Sequence, residues 1–168
     1  MRDGLERNPN VSRSALESLH GDVFGWAMSR CDYDRAAAED LVQQAYVELI
    51  SDRARFDGRS SLKSFVFGIV QNLSLRRFRR LATRLRFASR QDAAEPSEEM
   101  RFTQDDEAVW IAVRELPARQ RDMMELVFCR ELTIAEASTI MGVSLGTGRV
   151  HYERAKQRLR ELLEADDE

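Results

Sequence analysis

The stretch TIAEASTIMGVSLGTGRVHYERAK, residues 133–156, decides how the C-terminal part of the chain folds. Thr133 followed three residues later by Glu136 is a capping box, and it opens a short helix running through Met141. Gly142 fits the left-handed position that ends this helix, and Ser144 caps the one that follows. Two helices joined by a short turn, the second rich in Arg149, His151, Arg154 and Lys156, have the layout of a helix-turn-helix. In that motif the second helix presents its N-terminal residues to base edges in a major groove. A plain helical hairpin with a solvated charged face has the same spacing. Tyr152, Ala155, Leu159, Leu162 and Leu163 are expected to face inward. Gly148 is expected to soften the first turn, because glycine costs a helix about 1 kcal/mol relative to alanine.

Working outward, Pro117 suits the first turn of a helix whose Met123, Met124, Val127 and Phe128 form a core face, and residues 108–115 form another helix before it. Periodicity is lost over residues 89–106, which contain Ala93-Ala94, Pro96, Ser97 and an acidic cluster and read as a flexible linker. In the N-terminal half, Leu16, Leu19, His20, Val23, Phe24, Ala27 and Met28 recur at three- and four-residue steps on one helical face. His20 reads as a packed or boundary residue. Asp34 caps a helix over residues 35–50, with Ala38, Leu41, Val42, Ala45 and Leu49 as its buried stripe and Glu39, Asp40, Gln43, Gln44 and Glu48 on the other side. A loop over residues 53–61 holds Gly58 and Ser60-Ser61 and ends in a helix cap. From Leu62 a further helix carries Phe65, Val66, Ile69, Val70 and Leu73, then continues into Arg76, Arg77, Arg79 and Arg80, on several sides of a projecting end. With no strand pattern anywhere, the expected fold is all-α. Two small helical domains, residues 10–88 and 107–165, are joined by the acidic linker over 89–106, and the C-terminal one is the helix-turn-helix.

The whole chain of 168 residues is 43% apolar and nearly neutral, with 26 basic and 29 acidic side chains. That average conceals a strong asymmetry. Residues 51–91 carry eleven basic and two acidic side chains, while residues 92–109 carry one basic and seven acidic. A basic block of this density suggests a polyanion partner. Only Lys63 and Lys156 among the basic residues are lysines, so almost every cation is a guanidinium able to fork onto a phosphate. Apolar runs are far shorter than the roughly 18–20 residues that cross a bilayer, and the first ten residues lack the apolar core of a secretory signal. A cytoplasmic protein without membrane insertion is expected. Cys31 and Cys129 have neither CxxC spacing nor histidine neighbours and read as small core residues, with no metal site. No phosphate-binding glycine loop, HExxH or nucleophile elbow is present, and His20 and His151 fall in different domains. No catalytic residue, cofactor or small-molecule substrate is therefore expected.

Three ordered motifs together resemble the extracytoplasmic-function group of the sigma-70 family, the bacterial RNA polymerase sigma factors. The segment Ala38-Glu39-Asp40-Leu41-Val42-Gln43-Gln44 is similar to the one with which that family grips core RNA polymerase. Phe56 to Phe65, followed by Asn72-Leu73 and Phe78-Arg79-Arg80, is similar to its segment for melting and reading the minus-ten promoter element. Leu116-Pro117-Ala118-Arg119-Gln120-Arg121 opens the C-terminal domain as in the family, and Gly142-Val143-Ser144-Leu145-Gly146-Thr147 matches its recognition turn. Departures from the pattern are Glu131 for a usual glycine, Gly148 for a usual valine, and Val150 and His151 for a small polar residue and an arginine.

The resemblance implies a non-catalytic specificity subunit that directs polymerase to promoters. It assigns polymerase contact to Glu39, Asp40, Leu41, Gln43 and Gln44. Minus-ten DNA falls to Arg59, Ser60, Ser61, Lys63, Phe65, Asn72, Arg76, Arg77, Arg79 and Arg80. Minus-thirty-five DNA falls to Ser144, Gly146, Thr147, Arg149, His151, Glu153 and Arg154, with Arg149 and Arg154 as the principal contacts, since arginine reads guanine bidentately. Core RNA polymerase, promoter DNA and an anti-sigma factor are the implied partners. The family's linker threads into the channel later occupied by RNA, so Asp92, Glu95, Glu98, Glu99, Asp105, Asp106 and Glu107 are expected to mimic RNA there. Folding back onto the basic helix end and mere solubility are the alternatives. A stand-alone helix-turn-helix regulator is the rival function, and it leaves the surface from Asp40 to Gln44 unexplained.

Overall fold

A computed structural model describes residues 11–51, 53–87 and 104–166, and the chain divides into two compact units, 1–98 and 99–168. All regular structure among the described residues is helical. The first unit contains α1 (Arg13–Arg30), α2 (Arg35–Ile50) and α3 (Leu62–Phe87). Ser12 caps α1 by accepting from the Ala15 amide at 3.1 Å, and Asp34 caps α2 by accepting from Ala37 at 3.0 Å. The tight turn between them holds Asp32 and Tyr33 at positive φ, 51° and 61°.

All three helices pack on one another, so α1 buries a wider face than a single stripe. Beyond the expected Leu16, Val23 and Ala27, its Trp26 is fully buried, stacked on Phe67 of α3 at 5.9 Å with the Arg30 guanidinium 4.2 Å from its ring. Leu19, Phe24 and Met28 are only half-buried. Ala38, Leu41, Val42, Ala45 and Leu49 of α2 meet Val66, Phe67 and Val70 of α3 in the same core.

The second unit contains α4 (Gln104–Glu115), α5 (Ala118–Met124), a π-helical turn (Glu125–Cys129), α6 (Ile134–Met141) and α7 (Leu145–Asp166). Helix α4 starts earlier than residue 108, and three residues expected in the linker, Gln104, Asp105 and Asp106, belong to it. Acidic side chains favour a helix N-terminus, which offsets the lost spacing signal there. The rest of the expected linker lies outside the described residues. Ala112, Val113, Leu116, Met124, Ala155 and Leu159 form a core against which Tyr152, Leu162 and Leu163 pack.

Phe128 is not a core residue: it is 58% exposed, while Leu126 is fully buried. The π turn is wider than an α turn and breaks the 3.6-residue register on which the expectation rested. Its Glu125 is buried against Arg130 at 3.2 Å. Both cysteines are half-buried free thiols rather than core residues.

Candidate nucleic-acid and polymerase interfaces

Packing against α1 and α3 fixes the outward face of α2. Glu39, Asp40, Gln43 and Gln44 are exposed, with Glu39 held by Arg35 at 3.0 Å. Leu41 is 2% exposed and belongs to the core, so it cannot serve as a contact; it shares the inward stripe with Ala38 and Ala45. The same outward face continues into two residues that the sequence reading missed, Val47 at 53% and Ile50 at 43% exposure. Their signal was present as steps of four and three residues from Gln43. Exposed apolar side chains next to polar ones combine the two parts of a protein interface, an apolar core and a polar rim. Beside it, the exposed His20 places Nδ1 3.1 Å from the Tyr46 hydroxyl, whose pKa burial raises.

The loop before α3 turns at Gly58, where φ is 77°. Asp57 accepts from the Arg59 amide at 3.1 Å and pairs with its guanidinium at 3.0 Å, so Arg59 projects into solvent on a braced backbone. Ser61 caps α3 through the Ser64 amide at 3.1 Å, while Ser60 donates to the Ser61 carbonyl at 3.2 Å. Lys63 pairs with Asp22 of α1 at 2.8 Å and is largely covered, which ties two helices together. Phe65 is half-buried, 5.2 Å from Phe56, and Asn72 is exposed beside the buried Gln71.

Beyond Gln71, α3 outlasts its partners, and none of its residues whose side chains are described is buried. The arginines of this overhang divide by helical phase rather than surrounding it. Arg76, Arg79 and Arg80 share one side, and among the described residues no carboxylate pairs with them. Arg77 turns back and donates to the Ala37 carbonyl at 3.4 Å. Leu75, Phe78 and Leu81 make a separate exposed apolar stripe.

In the second unit the helix-turn-helix is built as the sequence predicts. The capping box at Thr133 and Glu136 is complete, and Gly142 ends α6 at φ 66°. Ser144 Oγ accepts from the Thr147 amide at 3.1 Å and lies 2.9 Å from the Thr147 hydroxyl. Arg119 of α5 braces the turn by donating to the Met141 carbonyl at 3.2 Å. Gly148 is buried, and its role is not the softening expected of it. A Cβ there would overlap Ser138 Oγ and stand 3.0 Å from Ser138 Cβ and 3.2 Å from Met123 Cε, so the missing side chain is what lets α7 sit on α6.

Of the remaining candidates, Gly146, Arg149, Glu153 and Arg154 are exposed and His151 is half-buried. Glu153 pairs with Lys156 at 3.7 Å. Arg154 lines a shallow recess with Pro117, Gln120, Gln157, Arg158 and Glu161. The six candidates other than the half-buried His151 come together on the outer side of the turn and the first turns of α7. Glu131 holds φ at 56°, which explains why a glycine is at home there. Burial, then the nearby Glu125, pushes the Cys129 thiol up to about 11, and the Cys31 thiol is raised chiefly by burial as well. Among the described residues no group of three or more His, Cys, Asp or Glu is placed to hold a metal, and no helix is long and apolar enough to cross a membrane.

The chain matches the family described as Sigma-70 region 2 over residues 15–84 and the family described as Sigma-70, region 4 over residues 107–159. Among curated relatives, the ECF RNA polymerase sigma factor ShbA of Streptomyces griseus is 30% identical over 169 residues, covering 90% of this chain and 79% of its own. RNA polymerase sigma factor CarQ of Myxococcus xanthus is 25% identical over 165 residues, 95% of each chain. In fold, the chain is similar to the sigma factor RpoE of Bartonella quintana, solved in complex with the anti-sigma factor NepR. The TM-score is 0.75 at 24% identity, over 92% of this chain and 97% of that one. It is also similar to CnrH, solved in complex with the cytosolic domain of CnrY, with a TM-score of 0.60 at 23% identity, over 91% of this chain and 88% of that one.

Proposed function

Since the chain belongs to the sigma-70 family of RNA polymerase sigma factors, in its extracytoplasmic-function group, we propose a division of labour among its surfaces. The protein is a transcription initiation factor: it binds core RNA polymerase, recognises and melts promoter DNA, and so directs where initiation occurs. The polymerase makes the RNA, and this chain supplies the address. The outward face of α2, with Glu39, Asp40, Gln43 and Gln44 and the apolar Val47 and Ile50, docks on polymerase.

In the same unit the braced loop around Arg59, Ser60 and Ser61, together with Asn72, meets unpaired bases of the minus-ten element, and Phe65 assists in parting the stack. Arg76, Arg79 and Arg80 track phosphates beside it, which positions the protein without reading sequence. In the second unit α7 enters the major groove of the minus-thirty-five element. Arg149 and Arg154 contact DNA, and Ser144 and Thr147 lie near the backbone at a helix N-terminus, where amides favour phosphate. Joining the two units on one chain raises the effective concentration of the second DNA contact once the first has formed. The expected linker acts as an RNA mimic in the polymerase channel. The protein works in the cytoplasm without a catalytic site of its own, and an anti-sigma factor, as found with RpoE of Bartonella quintana, is a further partner.

One observation supports this reading: a region 2 unit whose α2 bears an exposed polar face and whose α3 bears an arginine stripe, and a region 4 helix-turn-helix, occur in order on one chain. A free-standing regulator needs only the second. Run-off transcription with core polymerase, with and without the protein, on promoters from its own genome is the test. Stimulation at specific start sites is expected, and its absence on every template overturns the reading.

A further inference from the structure

We propose that Val150 is the side chain through which this protein reads a thymine 5-methyl group in the minus-thirty-five element, an inference that rests on the promoter-binding reading above. The rotation of α7 about its axis is fixed by Gly148, Ala155 and Leu159, all buried, and most tightly by the glycine backbone seated on Ser138. At about 100° per residue, Val150 lies about 200° from Gly148, on the middle of the outward face. It is 46% exposed, the more exposed of the two large apolar side chains that α7 leaves in solvent, Leu145 being the other.

Little along that face covers it. Gly146, four residues before, has no side chain, and Glu153, three residues on, is drawn towards Lys156. Arg149 and Arg154 lie about 100° and 240° round from Gly148, so their guanidiniums flank Val150 on opposite sides. Arg154 borders the recess that Pro117, just before α5, and Gln120 of α5 also line. Two cations straddling a helix suit the phosphates of the two groove walls, contacts that fix register and carry no base information. What remains in the middle is a stiff, branched side chain that neither donates nor accepts. The base-edge group that such a surface recognises is the methyl of thymine, which only the major groove displays. The same position would read a different edge with a small polar residue, so a valine there changes which promoters are chosen.

The test uses holoenzyme assembled from core polymerase and the full chain. Duplexes randomised over the minus-thirty-five region are selected for binding, and the enriched duplex is then remade with each thymine in turn replaced by uracil, which removes the methyl group alone. One position should lose about fourfold in affinity, the worth of one buried methyl-sized group. Val150→Ser should abolish that sensitivity, whereas Arg149→Ala should weaken binding to all duplexes and retain it. If every uracil duplex binds like its thymine parent, or Val150→Ser keeps the same sensitivity, the role of Val150 is overturned while the promoter-binding reading stands. If holoenzyme forms but enriches no sequence in this region, the base-reading role of α7 falls, and this inference with it.

Discussion

Gly148→Ala is the perturbation that most directly probes how the helix-turn-helix is held. In an isolated helix the change would be favourable by about 1 kcal/mol. Here the new Cβ overlaps Ser138 Oγ, and Ser138 is 2% exposed with its hydroxyl donating to the Ile134 carbonyl at 2.6 Å. Turning that hydroxyl aside strands a buried polar group at a cost of about 1–3 kcal/mol. Ser138 Cβ at 3.0 Å and Met123 Cε at 3.2 Å from the new atom add a repacking cost of similar size. Subtracting the gain in helix propensity leaves a net loss of about 1–5 kcal/mol in the second unit. Native-state hydrogen exchange of the α6 and α7 amides measures this unit without interference from the other. Ser138→Ala in the same background removes the overlapping atom, so the double variant should recover at least about 1 kcal/mol relative to additivity. A Gly148→Ala protein whose α6 and α7 amides exchange as slowly as, or more slowly than, the parent's would refute the seating of α7 on α6 through this glycine.

Other outcomes follow from the same geometry. Glu131→Gly relieves a left-handed backbone at φ 56° and should stabilise the second unit by about 1 kcal/mol, read as a higher urea midpoint; an unchanged midpoint would deny the strain. Asp40→Ala with Gln44→Ala should weaken binding to core polymerase in a titration while helical content holds, because exposed positions rarely move stability by more than about 0.5 kcal/mol. Arg79→Ala with Arg80→Ala should lower affinity across promoters and flatten the log-log salt dependence by about 0.7–0.9 for each phosphate no longer neutralised, and identical slopes would remove the phosphate role. Because burial holds the Cys129 thiol near 11, its thiolate is scarce at pH 8, and alkylation there should lag that of the urea-unfolded chain by about a hundredfold. The sign for folding is that this raised value favours the native state below the unfolded thiol's pKa. The contribution is lost as pH rises towards 11, so a stability that increased over that alkaline range would contradict it.

How far the sequence could be read depended on whether each signal was local. Capping and turn chemistry are settled within four residues, and the Asp34 cap, the Ser61 cap, the Thr133–Glu136 box and the left-handed Gly142 all stand where the sequence puts them. Faces that depend on a second helix were harder. Trp26 is buried because α1 packs on two helices rather than one, and nothing in its own spacing says how many partners it has. Phe128 obeyed the 3.6-residue rule in the sequence and escaped it in the fold, because it lies within a π turn, where each residue rotates the chain by less than in an α-helix. The arginines after Leu73 read as surrounding a helix end, yet one of them, Arg77, is recruited by a carbonyl forty residues away, leaving a single-sided stripe. Gly148 was the sharpest case. Read locally it weakens a helix, and read with Ser138 it is the condition for two helices to touch, a packing whose consequence is that Val150 faces outward at a fixed angle. The candidate site was therefore legible as an inventory of residues, while its orientation resided in long-range packing. Orientation is what separates an arginine that only steers from a valine that chooses.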